Sequence, residues 1–425
     1  MIKKEPEIFL LFLAPGERRK CYNRHKVNQW VIVMMNELEI LEKLLNPYKA
    51  VLDEPRCLKS RHKAMTCDRC VTVCPRQAIT PGKPLRIVSE ACTGCGLCVP
   101  VCPTGALSLR GLAYSRFLGR VKTEGTVVLG CGESGGGADA LLVPCLAFLS
   151  PEVLAAATLK NADLTVDFDE KRCQNCELGA KDKVMATLEG ARSWLESLGV
   201  NGPRILPGAT NRQKTISRRE FFGFFKKRAA EKAVEILAEE ETPRHPLREK
   251  FLHEGRALFF RRVRQAWEKG RAGSSQRRPV LPKVEITSNC HLCRDCSLFC
   301  PTGALERRES ETTFQLRFDP ELCLACGLCA LVCRQKALNV TREEVSWEAL
   351  LAGEKRLLIE KEHRQCQSCG RNFVAVEEET ICPDCQWKLS RESLWQELLP
   401  VSEPEEPVAA PEDKVEPNEQ EQRKE

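Results

Sequence analysis

The stretch from Cys290 to Cys333 constrains this chain more than any other part of it. It reads CHLCRDCSLFCP, then a polar interval containing TTFQLRF, then CLACGLCALVC, so the spacing CxxCxxCxxxC occurs twice. That spacing wraps three thiolates round one cubane of iron and sulfide, and in runs that carry two cubanes the fourth cysteine reaches across to the other. Cys290, Cys293, Cys296 and Cys333 are therefore expected to hold one [4Fe-4S] cluster, and Cys323, Cys326, Cys329 and Cys300 a second. The two-residue gaps bend the backbone round the cube and aim amides at sulfur, which favours added negative charge. A pair of zinc knuckles or a disulfide framework fits worse, because zinc takes four thiolates in two pairs and has no use for the third cysteine of each run.

This segment resembles the bacterial dicluster ferredoxin family. It departs from the family where Arg334 stands in place of the frequent proline, which touches no ligand; Pro301 keeps its place after Cys300. At 425 residues the chain should hold several domains rather than one core. Its 25 cysteines come as CxxC clusters in a long chain, which points to thiolates committed to metal in a reducing cytoplasm rather than to a secreted disulfide scaffold. The net charge of +6 is modest and implies no partner by itself.

The same pattern occurs earlier, as CLKSRHKAMTCDRCVTVCP followed by ACTGCGLCVPVCPTGAL. The second half is regular, whereas in the first half the leading cysteine is displaced to Cys57 by an insertion. Closing a somewhat longer loop costs little, so the displaced residue can still return to the cube. Cys57, Cys67, Cys70 and Cys102 are assigned to one cluster, and Cys92, Cys95, Cys98 and Cys74 to the other. The alternative is a free Cys57 beside a three-ligated or [3Fe-4S] centre. The resemblance to dicluster ferredoxins extends to this segment and implies an internal duplication of the module.

From Thr126 onward, short apolar runs alternate with helical periods. TVVLGC, ALLVPC and LTVDF read as buried strands, and PEVLAAATL and KDKVMATLEGARSWLESLGV as helices, which predicts a small α/β domain with a parallel sheet. Cys131, Cys145, Cys173 and Cys176 fall near strand ends, where such a sheet presents its ligand site. The layout resembles the delta subunit of methyl-viologen-reducing hydrogenases over part of this domain. That resemblance implies a further [2Fe-2S] or [4Fe-4S] site, with buried structural thiols or zinc as alternatives. Gly130, Gly132 and Gly135 satisfy GxGxxG, but another strand-like segment follows where dinucleotide binding needs a helix.

Outside these domains the sequence is less specific. Ile8–Ala14 is at the short limit for a signal segment and too short for a membrane anchor. A helix capped by Asn36 follows Met34 and Met35, either of which offers a second start; Cys21 has no ligand-spaced neighbour. SRREFFGFF at 217–225 matches an export signal only superficially, being deep in the chain and followed by charge. A second helix carrying Leu258, Phe259 and Trp267 among arginines reads as a solvated linker face that steers acidic redox partners. Near the end, Cys366, Cys369, Cys382 and Cys385 form two knuckles separated by 12 residues, the arrangement of a zinc ribbon. A rubredoxin-type iron site is the alternative, although Gln386 stands where that family has glycine. The tail is rich in Glu and Pro and is expected to be disordered.

The expected architecture is α+β and multidomain: an N-terminal extension with a helix (1–54), dicluster module 1 (55–118), a small α/β cysteine-containing domain (119–205) and a basic helical linker (206–280). Dicluster module 2 (281–345), a zinc ribbon with a helix (355–398) and an acidic tail (399–425) complete it. The expected function is that of a cytoplasmic polyferredoxin relaying single electrons between redox enzymes through four [4Fe-4S] clusters, with one Zn2+ in the ribbon. Module 2 follows the basic segment, so its clusters are expected to have the higher potentials. No acid–base or nucleophilic set is present, and neither a membrane span, nucleic acid nor a small-molecule substrate is expected. Two alternatives remain: the iron–sulfur subunit of a larger oxidoreductase whose middle domain is catalytic or binds flavin, and a zinc-ribbon regulatory or scaffold protein.

Overall fold

A computed structural model describes residues 49–132, 140–207, 250–375 and 378–398. The helix expected at Asn36, the segment 217–225, Gly135 and the acidic tail lie outside the described residues. Two units are formed, one running to Glu309 and again from Gln315 to Glu360, the other comprising Ser310–Phe314 and the chain from Lys361.

The first module begins with β1 (Ala50–Leu52), α1 (Leu58–Arg61), α2 (Arg69–Val73), β2 (Ile79–Thr80) and β3 (Arg86–Ile87). It continues with α3 (Cys98–Val101) and β4 (Leu107–Leu109); β1 pairs antiparallel with β4, and β2 with β3. Such short strands hold little by themselves, and the interior is shared with the next domain. There α4 (Tyr114–Arg120), β5 (Val127–Cys131), β6 (Leu141–Val143), α5 (Pro151–Lys160) and β7 (Leu164–Val166) follow one another. After them come α6 (Glu170–Gln174), α7 (Lys181–Glu196) and β8 (Arg204–Ile205). The sheet has the order β6-β5-β7-β8 and every pairing in it is parallel, so the helices must cover it. Accordingly α5 is buried from Val153 to Leu159; Pro151 opens it and the Ser150 hydroxyl accepts the Val153 amide.

Next comes α8 (Glu254–Glu268), which corrects the expectation of a solvated linker. Phe259, Phe260, Val263 and Ala266 recur at helical spacing and are buried, with Arg256, Arg261, Arg262 and Arg264 between them or on either side. Its first turn lies so close to α5 that a side chain at Gly255 would meet Val153 Cγ2 at 2.9 Å. The Glu254 carboxylate accepts the Tyr114 and Ser115 amides at 3.2 and 2.9 Å, capping α4, whose own cap position is Ala113.

Module 2 comprises β9 (Val280–Ile286), α9 (Asp295–Phe299), β10 (Leu305–Glu309), β11 (Thr313–Phe318), α10 (Leu328–Val332) and β12 (Leu338–Glu344). It is followed by α11 (Trp347–Leu351) and β13 (Arg356–Glu362). β9 and β12 pair antiparallel along their whole length. Trp347 is 1% exposed and donates its ring N–H to Ser197 Oγ at 3.2 Å. Its ring meets Trp194, Phe259 and Phe260 at centroid distances of 6.1, 6.4 and 6.2 Å. Module 1, the α/β domain, α8 and α11 thus share one continuous hydrophobic core. In the other unit β14 (Arg364–Gln365) pairs antiparallel with β15 (Asn372–Phe373), and α12 (Pro383–Leu398) follows.

Candidate metal centres

One local device recurs in both modules. Cys70, Cys98, Cys296 and Cys329 lie on α2, α3, α9 and α10, and Cys74, Cys102, Cys300 and Cys333 end those helices. Three of the terminal cysteines precede proline, which disfavours the helical region for them. Cys333 has the same extended backbone (φ −71°, ψ 107°) before Arg334, so the departure from the family pattern costs no geometry. Three residues beyond each terminal cysteine the chain turns through positive φ, at Gln77, Gly105, Gly303 and Lys336. That turn swings the next amide back onto sulfur: Ala78, Ala106 and Ala337 donate to Cys74, Cys102 and Cys333 Sγ at 3.3, 3.2 and 3.3 Å. Sequence reasoning missed this device, although its mark was visible as an alanine four residues after each of these cysteines.

Cysteines of the expected tetrads bear electrostatically on one another. Burial pushes the Cys70 thiol up to about 11, and Cys102, Cys67 and Cys57 add to the shift. Burial likewise raises Cys98, reinforced by Cys95, Cys92, Cys74 and, across the module, Cys70. In module 2, Cys296 is raised by burial and then by Cys293, Cys290, Cys329 and Cys333. Cys329 reaches about 12, from burial first and then from Cys326, Cys300 and Cys323. Four sulfurs crowded in a buried space repel one another as thiolates, so a multivalent cation is what such sets accommodate. The displaced Cys57 starts α1, where the Lys59 and Ser60 amides bond its sulfur; burial is the larger influence and raises it.

In the α/β domain Cys131, Cys145, Cys173 and Cys176 line one pocket with Pro144, Asp167 and Arg172. Burial pushes Cys145 up to about 12 against the Ala147 amide, and Cys131, Cys173 and Cys95 add to it. Cys95 comes near because the module 1 loop is clamped here: a side chain at Gly96 (φ +79°) would strike Phe148 at 2.7 Å and Leu109 at 2.9 Å. The pocket, about 40 Å3, is far below the ~300 Å3 at which organic-ligand sites begin.

Cys366, Cys369, Cys382 and Cys385 place their sulfurs within 4.8 Å of one another and can hold a metal ion. Cys369 and Cys382 Sγ are 3.8 Å apart, close to the ~3.8 Å edge of a tetrahedron with metal–sulfur bonds of ~2.3 Å. The Arg371 amide, and then its guanidinium, push Cys369 down to about 6. Cys382 donates its amide to Cys366 Sγ at 3.2 Å, which lowers Cys366. Sequence reasoning also missed a cleft of about 810 Å3 in the first unit, lined by Cys102 and Cys323 together with Arg69, Lys183, His253 and Arg342.

The model of the 4Fe-4S dicluster domain matches residues 63–106 and again 289–337. Pyruvate synthase subunit PorD of Methanothermobacter marburgensis is 33% identical over 67 residues, 16% of this chain and 69% of that one. Its counterpart in Methanocaldococcus jannaschii is 31% identical over 67 residues, 16% of this chain and 70% of its own. A component of the ion-translocating oxidoreductase complex of Methanosarcina acetivorans is 39% identical over 58 residues, 14% of this chain, and the match spans 20% of that relative's length. The chain belongs to the ferredoxin-type 4Fe-4S dicluster family and has its domain twice. Its role is iron–sulfur electron transfer.

Proposed function

We propose that the chain relays single electrons between redox partner proteins of the cytoplasm through four [4Fe-4S] clusters held by the four tetrads of the two modules. Cys131, Cys145, Cys173 and Cys176 hold a further iron–sulfur centre, and Cys366, Cys369, Cys382 and Cys385 a structural Zn2+. The observation that carries this reading is contiguity: Cys145 bears on Cys95 and Cys98 on Cys70, Cys67 and Cys326 border one apolar cluster, and Cys296 bears on Cys329. Successive centres are therefore neighbours, as a relay needs. Closed thiolate sets leave no open coordination position for a substrate, so the chain moves charge and the chemistry belongs to its partners.

The names of the matched relatives, which are subunits of a pyruvate synthase and of an ion-translocating oxidoreductase complex, favour work as the electron-transfer subunit of a larger oxidoreductase. No helix among the described residues is long and apolar enough to cross a membrane. The test is reductive titration of the anaerobically reconstituted, flavin-free chain with a one-electron donor. Uptake of about four electrons by the modules, all returned to a one-electron acceptor, is expected. Turnover of a hydride donor by the chain alone would contradict the relay.

A further inference from the structure

The insertion that displaces Cys57 lies between the two modules. Leu58 packs with Leu328 and Val332 of α10, and Met65, Cys67, Phe299 and Cys326 border the same cluster. The His62 ring stands edge-on to Phe299 at 5.5 Å. Arg61, one turn from Cys57, is 3% exposed; it donates Nη1 to the Pro55 carbonyl at 3.3 Å and lies over the Phe251 ring at 5.4 Å. Phe251 is itself pinned to module 2, its amide donating to the Pro301 carbonyl at 2.8 Å. Beside it, Lys250 donates to the Ser297, Leu298 and Cys300 carbonyls at 2.8, 2.9 and 2.9 Å. Arg256 binds the Pro320 and Glu321 carbonyls just before Cys323.

Building on the relay reading, we propose that the insertion joins the modules so that the centre of Cys57, Cys67, Cys70 and Cys102 abuts that of Cys300, Cys323, Cys326 and Cys329. Arg61 is the positioning residue that makes the second of these the electron sink of the pair. A buried cation acts across little water and so favours the more negative, reduced state of whatever lies beside it. Cys300 and Cys326 are the groups that support the Arg61 charge against its burial, and Cys300 does the same for Lys250. The step balances: one electron leaves the first centre, which is oxidised by one, and enters the second, which is reduced by one. No bond breaks and no co-reactant is needed. Module 1 thus adds a cation of its own, Arg61, to Lys250 and Arg256, which the basic segment in front of module 2 already places there.

The experiment is a potentiometric titration of the full anaerobically reconstituted chain, followed by low-temperature spin resonance, with the signal of the second centre assigned by its change in Cys326→Ser. In Arg61→Leu the reduced-to-oxidised ratio of that centre, poised at its native midpoint, falls about tenfold, equivalent to ~59 mV for one electron. The two outer centres keep their midpoints, and Arg61→Lys restores most of the change. If Arg61→Leu loses iron, Arg61→Met, which removes the charge and keeps more of the side-chain volume, is used instead, and the same centre shifts in the same direction. A full complement of iron and sulfide with unchanged midpoints in the variant measured overturns the assignment of Arg61 and leaves the relay reading intact. Loss of all four cluster signals from the unaltered chain would instead count against the relay itself.

Discussion

At the scale of single residues, the surroundings of a cysteine in this chain depend on where the backbone aims amides as much as on cysteine spacing. Cys57 is the clearest case. It stands ten positions ahead of Cys67 instead of three, yet it starts α1 with the Lys59 and Ser60 amides on its sulfur and Cys102 and Cys67 beside it. Cys57→Ser is expected to lose one module 1 cluster or convert it to [3Fe-4S], while the spin-resonance signals of module 2 stay as they were. An unaltered spectrum would show that Cys57 is a bystander thiol. The expected role of the residue was readable from the three cysteines that follow it in register. Arg61 was not, because nothing in CLKSRHKAM distinguishes a solvated arginine from one buried against a second module.

At the scale of elements, α8 organises the first unit. Leu258, Phe259 and Trp267 among arginines suggested a solvated linker, but an amphipathic helix reads alike whether it faces solvent or lies on a core that comes from elsewhere in the chain. Here Phe259 and Phe260 meet Trp194 and Trp347, and Glu254 caps α4 from 140 and 139 residues away. Glu254→Ala leaves two amides without their acceptor and should cost about 1–3 kcal/mol in chemical denaturation followed by circular dichroism. Glu254→Gln retains an acceptor oxygen and should lose less. Equal stability of the alanine variant and the parent would mean that the cap contributes nothing.

At the scale of the whole molecule, metal content is what the relay fixes. Four cubanes require about sixteen iron and sixteen sulfide per chain, with one zinc and extra iron if the α/β site is filled. Elemental analysis after full anaerobic reconstitution checks this; fewer than about twelve iron would sink the four-cluster reading. A chelator strong enough to strip zinc should leave the iron in place, since Cys366, Cys369, Cys382 and Cys385 belong to a unit with its own small core of Cys366, Phe373, Cys382 and Cys385.

The sequence by itself determined the local ligand geometry: the duplicated dicluster module, the cysteine sets expected to ligate, the four-thiolate site near the end, and the parallel α/β domain. These are encoded within a few turns of chain, because CxxC spacing, a helix-ending proline and alternating apolar runs act on neighbouring residues. The tertiary structure alone decided that α8 enters the core, that Gly96 seats module 1 against Phe148 next to Cys145, and that Arg61 is buried over Phe251, whose amide is held by the Pro301 carbonyl. Contacts such as His62 with Phe299, or Trp347 with Ser197, join residues far apart in the chain and leave no period or spacing to read. Only packing a shared core selects them, since each module is too small to bury its apolar surface alone.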